Sequence, residues 1–197
     1  MKVTVINYNS GNVLSVLNAL RRIGVEAQLS DDIECIRNSD RIIFPGQGEA
    51  RQTMDFMRKH SLDQAIKELT QPYLGICIGM QILAERSEEK DTLGLNLLQG
   101  EKVSKFSTTG GGLKIPHMGW NTVSHLRTPL FKHIPEDAYF YYVHSYYMPL
   151  NAYTIAETDY IHPFSAAVQK GNFYATQFHP EKSGTHGLQL LRNFIEL

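Results

Sequence analysis

A cysteine between two glycines, at the junction of an apolar run and a helical repeat, most constrains what this 197-residue chain can fold into. Residues 73–76 form an apolar run typical of a buried strand. Cys77 follows directly, with Gly75 two residues before it and Gly79 two residues after it. Beyond Gly79 the spacing predicts a helix with one apolar face, formed by Met80, Leu83 and Ala84. The pattern is typical of a sharp strand–nucleophile–helix turn, where a side chain on either glycine would clash with nearby backbone.

The position of Cys77 in such a turn predicts a reactive sulfur. The turn lifts the side chain clear of the sheet and places it over the start of the helix, where free N–H groups and the dipole favour thiolate over thiol. A thiolate is the form that attacks a carbonyl carbon. The alternative is that Cys77 is a small buried residue beside a tight turn.

Size and composition predict one globular domain, residues 1–197. The hydrophobic content of 42% and the charged content of 20% are typical of soluble proteins, and a chain of this length can bury a sizeable core. The formal net charge of -1 gives no general attraction to nucleic acid or to an acidic membrane. We interpret the charged run at residues 88–91 as a solvated face.

The same features predict a cytoplasmic protein. No apolar stretch reaches the ~18 residues of a membrane span, and residues 1–7 become polar too early for a signal peptide. Two cysteines, Cys35 and Cys77, do not make a disulfide framework. A reducing compartment is therefore the natural setting.

The order of predicted elements indicates an α/β fold. Strands are predicted at residues 2–7, 25–29, 40–44 and 73–76, and helices at residues 13–23, 50–60 and 61–69, the last introduced by a capping box of Ser61 and Gln64. Strands that alternate with helices pair in parallel. After residue 99 the chain changes to short β-type runs, with turns such as that at 109–112, before a C-terminal helix. We therefore expect a mixed, mainly parallel sheet flanked by helices, with more antiparallel strands in its second half.

Residues 45–48, Pro-Gly-Gln-Gly, follow the third predicted strand directly. Two glycines there mark a place where the backbone turns tightly or approaches a ligand, and open α/β sheets bind substrates at the carboxyl ends of their strands. A plain turn is the alternative. A dinucleotide-binding loop is disfavoured because no third glycine follows at the required spacing, and the chain has no Walker A sequence.

His179 and Glu181 provide the base and the orienting group that a nucleophilic cysteine needs. His179 ends an apolar run, and residues i and i+2 of an extended segment point the same way. Pro180 stiffens the backbone between the two side chains, so the carboxylate is placed to fix the imidazole tautomer and support its charged form. A structural histidine is the alternative.

A tetrahedral intermediate on Cys77 also needs hydrogen-bond donors for its oxyanion. The N–H of Ile78, directly after the nucleophile, is the expected first donor. The loop of Gly46, Gln47 and Gly48 is placed to give a second. Loss of one such donor lowers a rate by about a hundredfold or more, so we expect the conformation of this loop to switch the activity on and off.

Metal binding is the rival use of these side chains, through His179, Glu181 and His186. The chain has eight histidines, but neither Cys-x-x-Cys nor His-Glu-x-x-His occurs. We therefore expect no metal and no cofactor.

Three motifs together make the chain resemble the class I, triad-type glutamine amidotransferases. They are Pro-Gly-x-Gly at residues 45–48, Gly-x-Cys-x-Gly-x-Gln at 75–81 and His-Pro-Glu at 179–181. The resemblance implies a flavodoxin-like fold and the hydrolysis of glutamine to glutamate and ammonia. It implies that Cys77 forms a glutamyl thioester, that His179 takes and returns protons, and that Glu181 orients His179. Gln81 matches a substrate-contacting position, although an exposed helix glutamine is its plainer interpretation.

Within that family, three further stretches resemble the glutaminase subunits of imidazole glycerol phosphate synthases: residues 7–16, 116–121 and 141–146. In these heterodimers the glutaminase docks on a (β/α)₈-barrel cyclase and passes ammonia through the barrel, giving imidazole glycerol phosphate and an aminoimidazole carboxamide ribotide in histidine biosynthesis. The resemblance implies that glutamine is held by His144, Ser145 and Tyr146. It implies that the partner is faced by Asn12, Trp120, Tyr141 and Lys182. Taken alone, such aromatic residues are more often core, and such a lysine is more often solvated.

Two residues depart from the family pattern. Gln47 replaces the small apolar residue usual between the loop glycines, and Glu49 replaces a small residue after them. A bulkier, polar loop alters how readily an N–H turns toward the oxyanion.

Two other functions stay open. One is the glutaminase subunit of another synthase, of the anthranilate or aminodeoxychorismate type, which the stretches at 7–16 and 116–121 disfavour. The other is a catalytically silent interaction domain, which the complete Cys, His and Glu set disfavours.

Overall fold

The structure is a computed structural model that describes residues 1–8, 12–107 and 112–197. These residues form thirteen strands and six α-helices. The strands are β1 (Val3–Ile6), β2 (Ala27–Ser30), β3 (Arg41–Phe44), β4 (Tyr73–Ile76), β5 (Ala84–Ser87), β6 (Thr92–Leu93), β7 (Leu98–Lys105), β8 (His117–Val123), β9 (Ala138–His144), β10 (Tyr146–Tyr147), β11 (Thr154–Tyr160), β12 (His162–Lys170) and β13 (Phe173–Thr176). The helices are α1 (Val13–Arg22), α2 (Ile33–Arg37), α3 (Ala50–Lys59), α4 (Leu62–Lys67), α5 (Ile78–Gln81) and α6 (Gly184–Glu196). The sequence also predicts a turn at residues 9–12, after the first strand, and this turn and the one predicted at 109–112 lie largely outside the described residues.

A seven-stranded sheet forms the centre, in the order β11-β12-β13-β4-β3-β1-β2. The strands from β13 to β2 pair in parallel, whereas β11, β12 and β13 pair antiparallel. Every residue of β1 and β4 is buried, as expected for parallel strands covered on both faces. The predicted mixed, mainly parallel sheet, with its antiparallel part in the second half, is confirmed.

The two faces of the sheet carry separate apolar cores. On one face, α1 and α6 pack together with the β8–β9 hairpin, and Leu20 and Leu191 are fully buried there. On the other face lie α2 to α5, with Met57 of α3 and Ile66 of α4 fully buried. A four-stranded sheet, β10-β7-β5-β6, extends this second side. The helices therefore cover both faces of the central strands.

The helix after Cys77 is shorter than the sequence predicts. It ends at Gln81, and Ala84 already begins β5. The carbonyls of Ile82 and Leu83 accept hydrogen bonds from the N–H groups of residues 95 and 98, at 2.7 and 2.9 Å. Pairing with this distant segment thus replaces the next helical turn. Met80, Leu83 and Ala84 are buried, but not as one helical face.

The predicted capping box at Ser61 is wrong. Ser61 precedes α4 with a φ of 56°, and its side chain makes no capping hydrogen bond. Its N–H bonds to the carbonyl of Arg58, which closes α3. The two helices are joined by so short a turn that Ser61 takes a left-handed conformation, whereas a residue whose side chain caps a helix start is typically extended.

Candidate active site

Three neighbouring strands end at one rim of the central sheet. β3, β4 and β13 are adjacent and parallel. They lead into residues 45–48, Cys77 and residues 177–181, respectively. Because parallel neighbours finish at the same edge, the fold gathers the three predicted motifs into one place.

The turn at Cys77 is strained and tightly packed. Cys77 has φ 48° and ψ −101°, a conformation costly for a residue with a side chain and typical of functional sites. A Cβ on Gly75 would lie 2.3 Å from the carbonyl oxygen of Gly79, and a Cβ on Gly79 would lie 2.9 Å from the carbonyl oxygen of Phe44. Both glycines are therefore needed for the backbone to hold Cys77 in this conformation.

The sulfur of Cys77 has a polar neighbour that the sequence analysis missed. Gln177, which is fully buried, directs Nε2 at Sγ over 3.5 Å. Its Oε1 accepts a hydrogen bond of 3.0 Å from Nε2 of Gln81, so Gln81 is a buried residue and not an exposed helix glutamine. Since α5 is one turn long, this amide supplements the small dipole at the sulfur. The i and i+2 rule applied to His179 would have placed Gln177 on the same side.

His179 and Glu181 form a fully buried hydrogen-bonded pair. Nδ1 of His179 lies 2.7 Å from Oε1 of Glu181, and both side chains are 0% exposed. Since a carboxylate only accepts, the imidazole N–H is on Nδ1. Nε2 then faces the site, buried and without a hydrogen-bond partner among the described residues. Asn12 also donates a hydrogen bond to Oε1 of Glu181 and fixes the carboxylate.

The site favours the protonated form of His179. Burial alone lowers the pKa of this imidazole, but attraction to Cys77 and to the carboxylate of Glu181 outweighs burial and raises the pKa to about 10. Among the described residues Nε2 makes no hydrogen bond to the sulfur, so the part due to Cys77 is an effect of charge. His179 is therefore positively charged at neutral pH and able to give up a proton from Nε2.

A pocket of about 280 Å³ opens beside Cys77. The predicted substrate-binding residues that line it are Gly48, Ile78, Gln81, His144, Ser145 and Tyr146. Two predicted members do not line it. Gly46 is buried within the loop, where an added Cβ would lie 3.0 Å from Cε1 of His179, and Gln47 is exposed to solvent.

Glu89 also lines this pocket, contrary to the prediction of a solvated face at residues 88–91. Its carboxylate accepts a hydrogen bond of 2.7 Å from the N–H of Ala50. Burial raises the pKa of Glu89 above its ordinary value, against the lowering effect of that hydrogen bond. No local pattern distinguishes Glu89 from the exposed Glu88, because only the packing of the turn against α3 selects which of them points inward.

Two buried histidines hold the far wall of the pocket. Nδ1 of His144 lies 2.7 Å from the carbonyl oxygen of Tyr146 and must donate to it. Nε2 of His144 therefore accepts, over 3.0 Å, from Nδ1 of His117, and Nε2 of His117 accepts from Asn121. Burial lowers the pKa of His144 to about 3 and that of His117 to about 4. Both rings are neutral at physiological pH, as this chain of donors requires.

Three of the four residues predicted to face a partner form one surface cluster. Trp120 is 55% exposed and lies edge-on to Tyr141, with ring centroids 6.1 Å apart. Nζ of Lys182 lies 6.0 Å from the centroid of Tyr141. Asn12 is only 4% exposed and contacts Glu181 instead.

Within the described residues, no group of three or more His, Cys, Asp or Glu side chains could hold a metal ion. His186, the third member of the rival metal set, lies near the ring of Phe140. None of the helices in the described part of the chain has the length and apolar character needed to cross a bilayer.

Comparison with known proteins identifies the class. Residues 4–197 match the family model of the class-I glutamine amidotransferases, so the chain belongs to that family. The predicted family and the predicted glutamine amidotransferase activity are confirmed.

The more similar relatives carry a more specific name. A protein of Bacteroides fragilis strain YCH46 is 52% identical over 197 residues, and one of Escherichia coli strain K12 is 46% identical over 198 residues, with 100% of each chain covered. Both are named imidazole glycerol phosphate synthase subunit HisH.

Solved structures share the fold at low sequence identity. A protein from Thermoplasma acidophilum, described as a putative GMP synthase subunit, has a TM-score of 0.77 at 22% identity, covering 100% of this chain and 92% of the other. A glutamine amidotransferase from Thermotoga maritima has a TM-score of 0.62 at 17% identity, covering 100% and 81%.

Proposed function

We propose that this chain is the glutaminase subunit of an imidazole glycerol phosphate synthase. The observation that carries the proposal is Cys77 in the lining of a pocket of about 280 Å³, with the hydrogen-bonded His179–Glu181 pair after the adjacent strand, in a chain 46% to 52% identical along its whole length to proteins of that name. The chain would release ammonia from glutamine for a second subunit.

The reaction follows from the charges of the three side chains. The Cys77 thiolate attacks the side-chain amide carbon of glutamine, and a C–S bond forms as the carbonyl oxygen becomes an oxyanion. Imidazolium His179 gives its Nε2 proton to the amide nitrogen, the C–N bond breaks and ammonia leaves. The now neutral His179 takes a proton from water, which attacks the thioester and releases glutamate. Glu181 keeps the Nδ1 proton in place throughout.

The pocket has groups that suit the two ends of glutamine. Glu89 presents a carboxylate for the α-ammonium group, because it is the acidic side chain among those that line the pocket. The oxyanion would accept hydrogen bonds from the N–H of Ile78 and from the loop at residues 45–48. Residues 144–146 form the opposite wall, which the neutral His144 fixes through the carbonyl of Tyr146.

The second subunit would be a (β/α)₈-barrel cyclase, bound through the cluster of Trp120, Tyr141 and Lys182. Tyr141 joins that cluster to the catalytic segment, because its carbonyl accepts from the N–H of His179 at 2.9 Å and its own N–H donates to Oγ of Ser183 at 3.0 Å. A partner bound to the cluster would therefore act, through Tyr141, on the backbone that carries His179. Such coupling has a chemical purpose, since ammonia released into neutral water becomes ammonium, which is not a nucleophile.

An isotope experiment tests the proposal. The chain is co-purified with its cognate cyclase and supplied with glutamine labelled with ¹⁵N in the amide group. We expect the label in imidazole glycerol phosphate, and a glutaminase rate that rises sharply when the cyclase carries its ligand. Cys77→Ala should abolish label transfer but leave synthesis from added ammonium salts intact, whereas the matched variant Cys35→Ala should behave as the unchanged chain.

Two results would contradict the proposal. A verified cognate complex whose glutaminase rate equals that of the free chain would reject coupling to this partner. Failure of a glutamine-like electrophile to label Cys77 in the complex would favour a catalytically silent domain.

A further inference from the structure

Tyr8 contacts the loop of residues 45–48 and has been given no role of its own above, although it lies in the stretch of residues 7–16. It follows β1, is 6% exposed and stacks on Phe44, with ring centroids 4.5 Å apart and planes inclined by 22°. Phe44 is the last residue of β3 and directly precedes the loop. The ring of Tyr8 is therefore fixed relative to the strand that carries the loop.

The hydroxyl of Tyr8 holds the loop at two points. It lies 3.0 Å from the carbonyl oxygen of Pro45 and within hydrogen-bond distance of the carbonyl oxygen of Gln47. A hydroxyl has one proton, so the two carbonyls share it as a three-centre bond. Gly48 also packs against the ring of Tyr8, since a Cβ added to Gly48 would lie 3.4 Å from Cε2 of Tyr8.

The peptide unit between these two points is not held. Within the described part of the chain, neither the carbonyl of Gly46 nor the N–H of Gln47 has a hydrogen-bond partner. A peptide unit is planar, so it turns as one body about the bonds on either side. With the carbonyls of Pro45 and Gln47 fixed, rotation is confined to this unit, which adjoins His179 through Gly46.

We propose that the Tyr8 hydroxyl is a positioning group for the oxyanion loop: it fixes both ends of the loop so that the 46–47 peptide presents the N–H of Gln47 to the tetrahedral intermediate. The inference rests on the proposed glutaminase reaction. The proposal is compatible with the unusual residue at position 47, since it uses only the backbone N–H of Gln47, whose side chain is exposed to solvent.

The variant Tyr8→Phe tests the proposal because it keeps the ring on Phe44 and removes only the hydroxyl. The matched control is Tyr160→Phe, which removes a hydroxyl bonded to the carbonyl of Lys114 at 2.6 Å, away from the loop. Steady-state glutaminase assays, on the chain alone and with its cyclase, give kcat and KM. Alkylation of Cys77 by iodoacetamide reports on the sulfur without forming an oxyanion.

We expect kcat of Tyr8→Phe to fall by about tenfold, a fraction of the effect of losing an oxyanion donor outright. KM and the alkylation rate should stay within about twofold of the unchanged chain, as should every rate of Tyr160→Phe. A kcat that is unchanged or raised overturns the proposal, and so does a parallel loss of kcat and alkylation. A different result, in which the unchanged chain with its cyclase hydrolyses no glutamine, would overturn the glutaminase function itself.

Discussion

Nδ1 of His179 and Oε1 of Glu181 lie 2.7 Å apart with both side chains withdrawn from solvent. A buried imidazolium is costly unless a negative charge accompanies it. In this site the carboxylate of Glu181 provides that charge at Nδ1, and Nε2 is left as the ring nitrogen able to exchange a proton with a substrate. The pair therefore raises the pKa of His179 and fixes the orientation of its imidazole ring.

Glu181→Gln should lower kcat for glutamine hydrolysis by about a hundredfold or more, with a much smaller change in KM. The neutral amide no longer supports the imidazolium, so the pKa of His179 falls and the proton for the leaving ammonia is held less firmly. Steady-state kinetics between pH 6 and 10 measure the loss. The exposed Glu196→Gln, on α6, is the matched control and should be fully active. An active Glu181→Gln variant would remove the orienting role assigned to the carboxylate.

Gln177→Leu should slow the alkylation of Cys77 by about tenfold at neutral pH. The change removes the amide hydrogen that points at Sγ over 3.5 Å, and a hydrogen bond to a charged group contributes about 1.5–3 kcal/mol. Mass spectrometry of iodoacetamide-treated protein follows both cysteines. Cys35, far along the chain and partly exposed, is the internal control in the same sample. Equal rates at Cys77 in the variant and the unchanged chain would show that the amide does not stabilise the thiolate.

The sequence predicts those parts of the site that depend on local patterns. The glycines around Cys77 specify a sharp turn, and the apolar strands before Cys77 and His179 bring the two residues to one sheet edge. Parallel pairing of β3 with β4 brings the loop at residues 45–48 to the same edge, since neighbouring parallel strands end together. For this reason the segments that carry the predicted nucleophile, base and loop follow adjacent parallel strands and start from one edge of the sheet.

Other parts depend on contacts between distant segments, which one sequence does not reveal. The helix after Cys77 stops early because the N–H groups of residues 95 and 98 bond to the carbonyls of Ile82 and Leu83, which directly follow the helix. Glu89 enters the pocket because its turn packs on α3, and Tyr8 reaches the loop because β1 lies beside β3. Neither position has a local signal. Gln177 is different, since its i and i+2 relation to His179 was available from the sequence.

Gly75→Ala should destabilise the fold by about 3 kcal/mol or prevent folding. The added Cβ would lie 2.3 Å from a backbone oxygen of Gly79, and backbone cannot move aside as a flexible side chain can. Thermal unfolding followed by circular dichroism measures the change. Gly171→Asn is the control, because nothing lies within 4 Å of that Cβ and asparagine tolerates the left-handed φ of 57°. A Gly75→Ala chain as stable as the control would mean that the turn can open without cost.

The neutral His117–His144 pair predicts that the protein loses stability on mild acidification. Burial lowers the pKa of His144 from 6.5 to about 3 in the folded chain, so between those values the unfolded chain binds the additional proton. The free energy of unfolding therefore falls as the pH drops below 6.5, by up to about 1.4 kcal/mol per pH unit from His144. Protonation also opposes the fold directly, because a hydrogen on Nε2 of His144 would face the Nδ1 hydrogen of His117.

Urea unfolding at pH 7, 6 and 5 measures this dependence. His144→Gln should reduce the slope between pH 6.5 and 5, even where its stability at pH 7 is lower, because the variant has no imidazole to protonate on unfolding. His125→Asn, at an exposed position with a φ of 54°, should keep the slope of the unchanged chain. Carboxylates common to all three proteins contribute equally and cancel in the comparison. If His144→Gln and His125→Asn have the same slope, the histidine pair takes up its protons equally in the folded and unfolded chains, and the neutral hydrogen-bond chain behind Tyr146 is wrong.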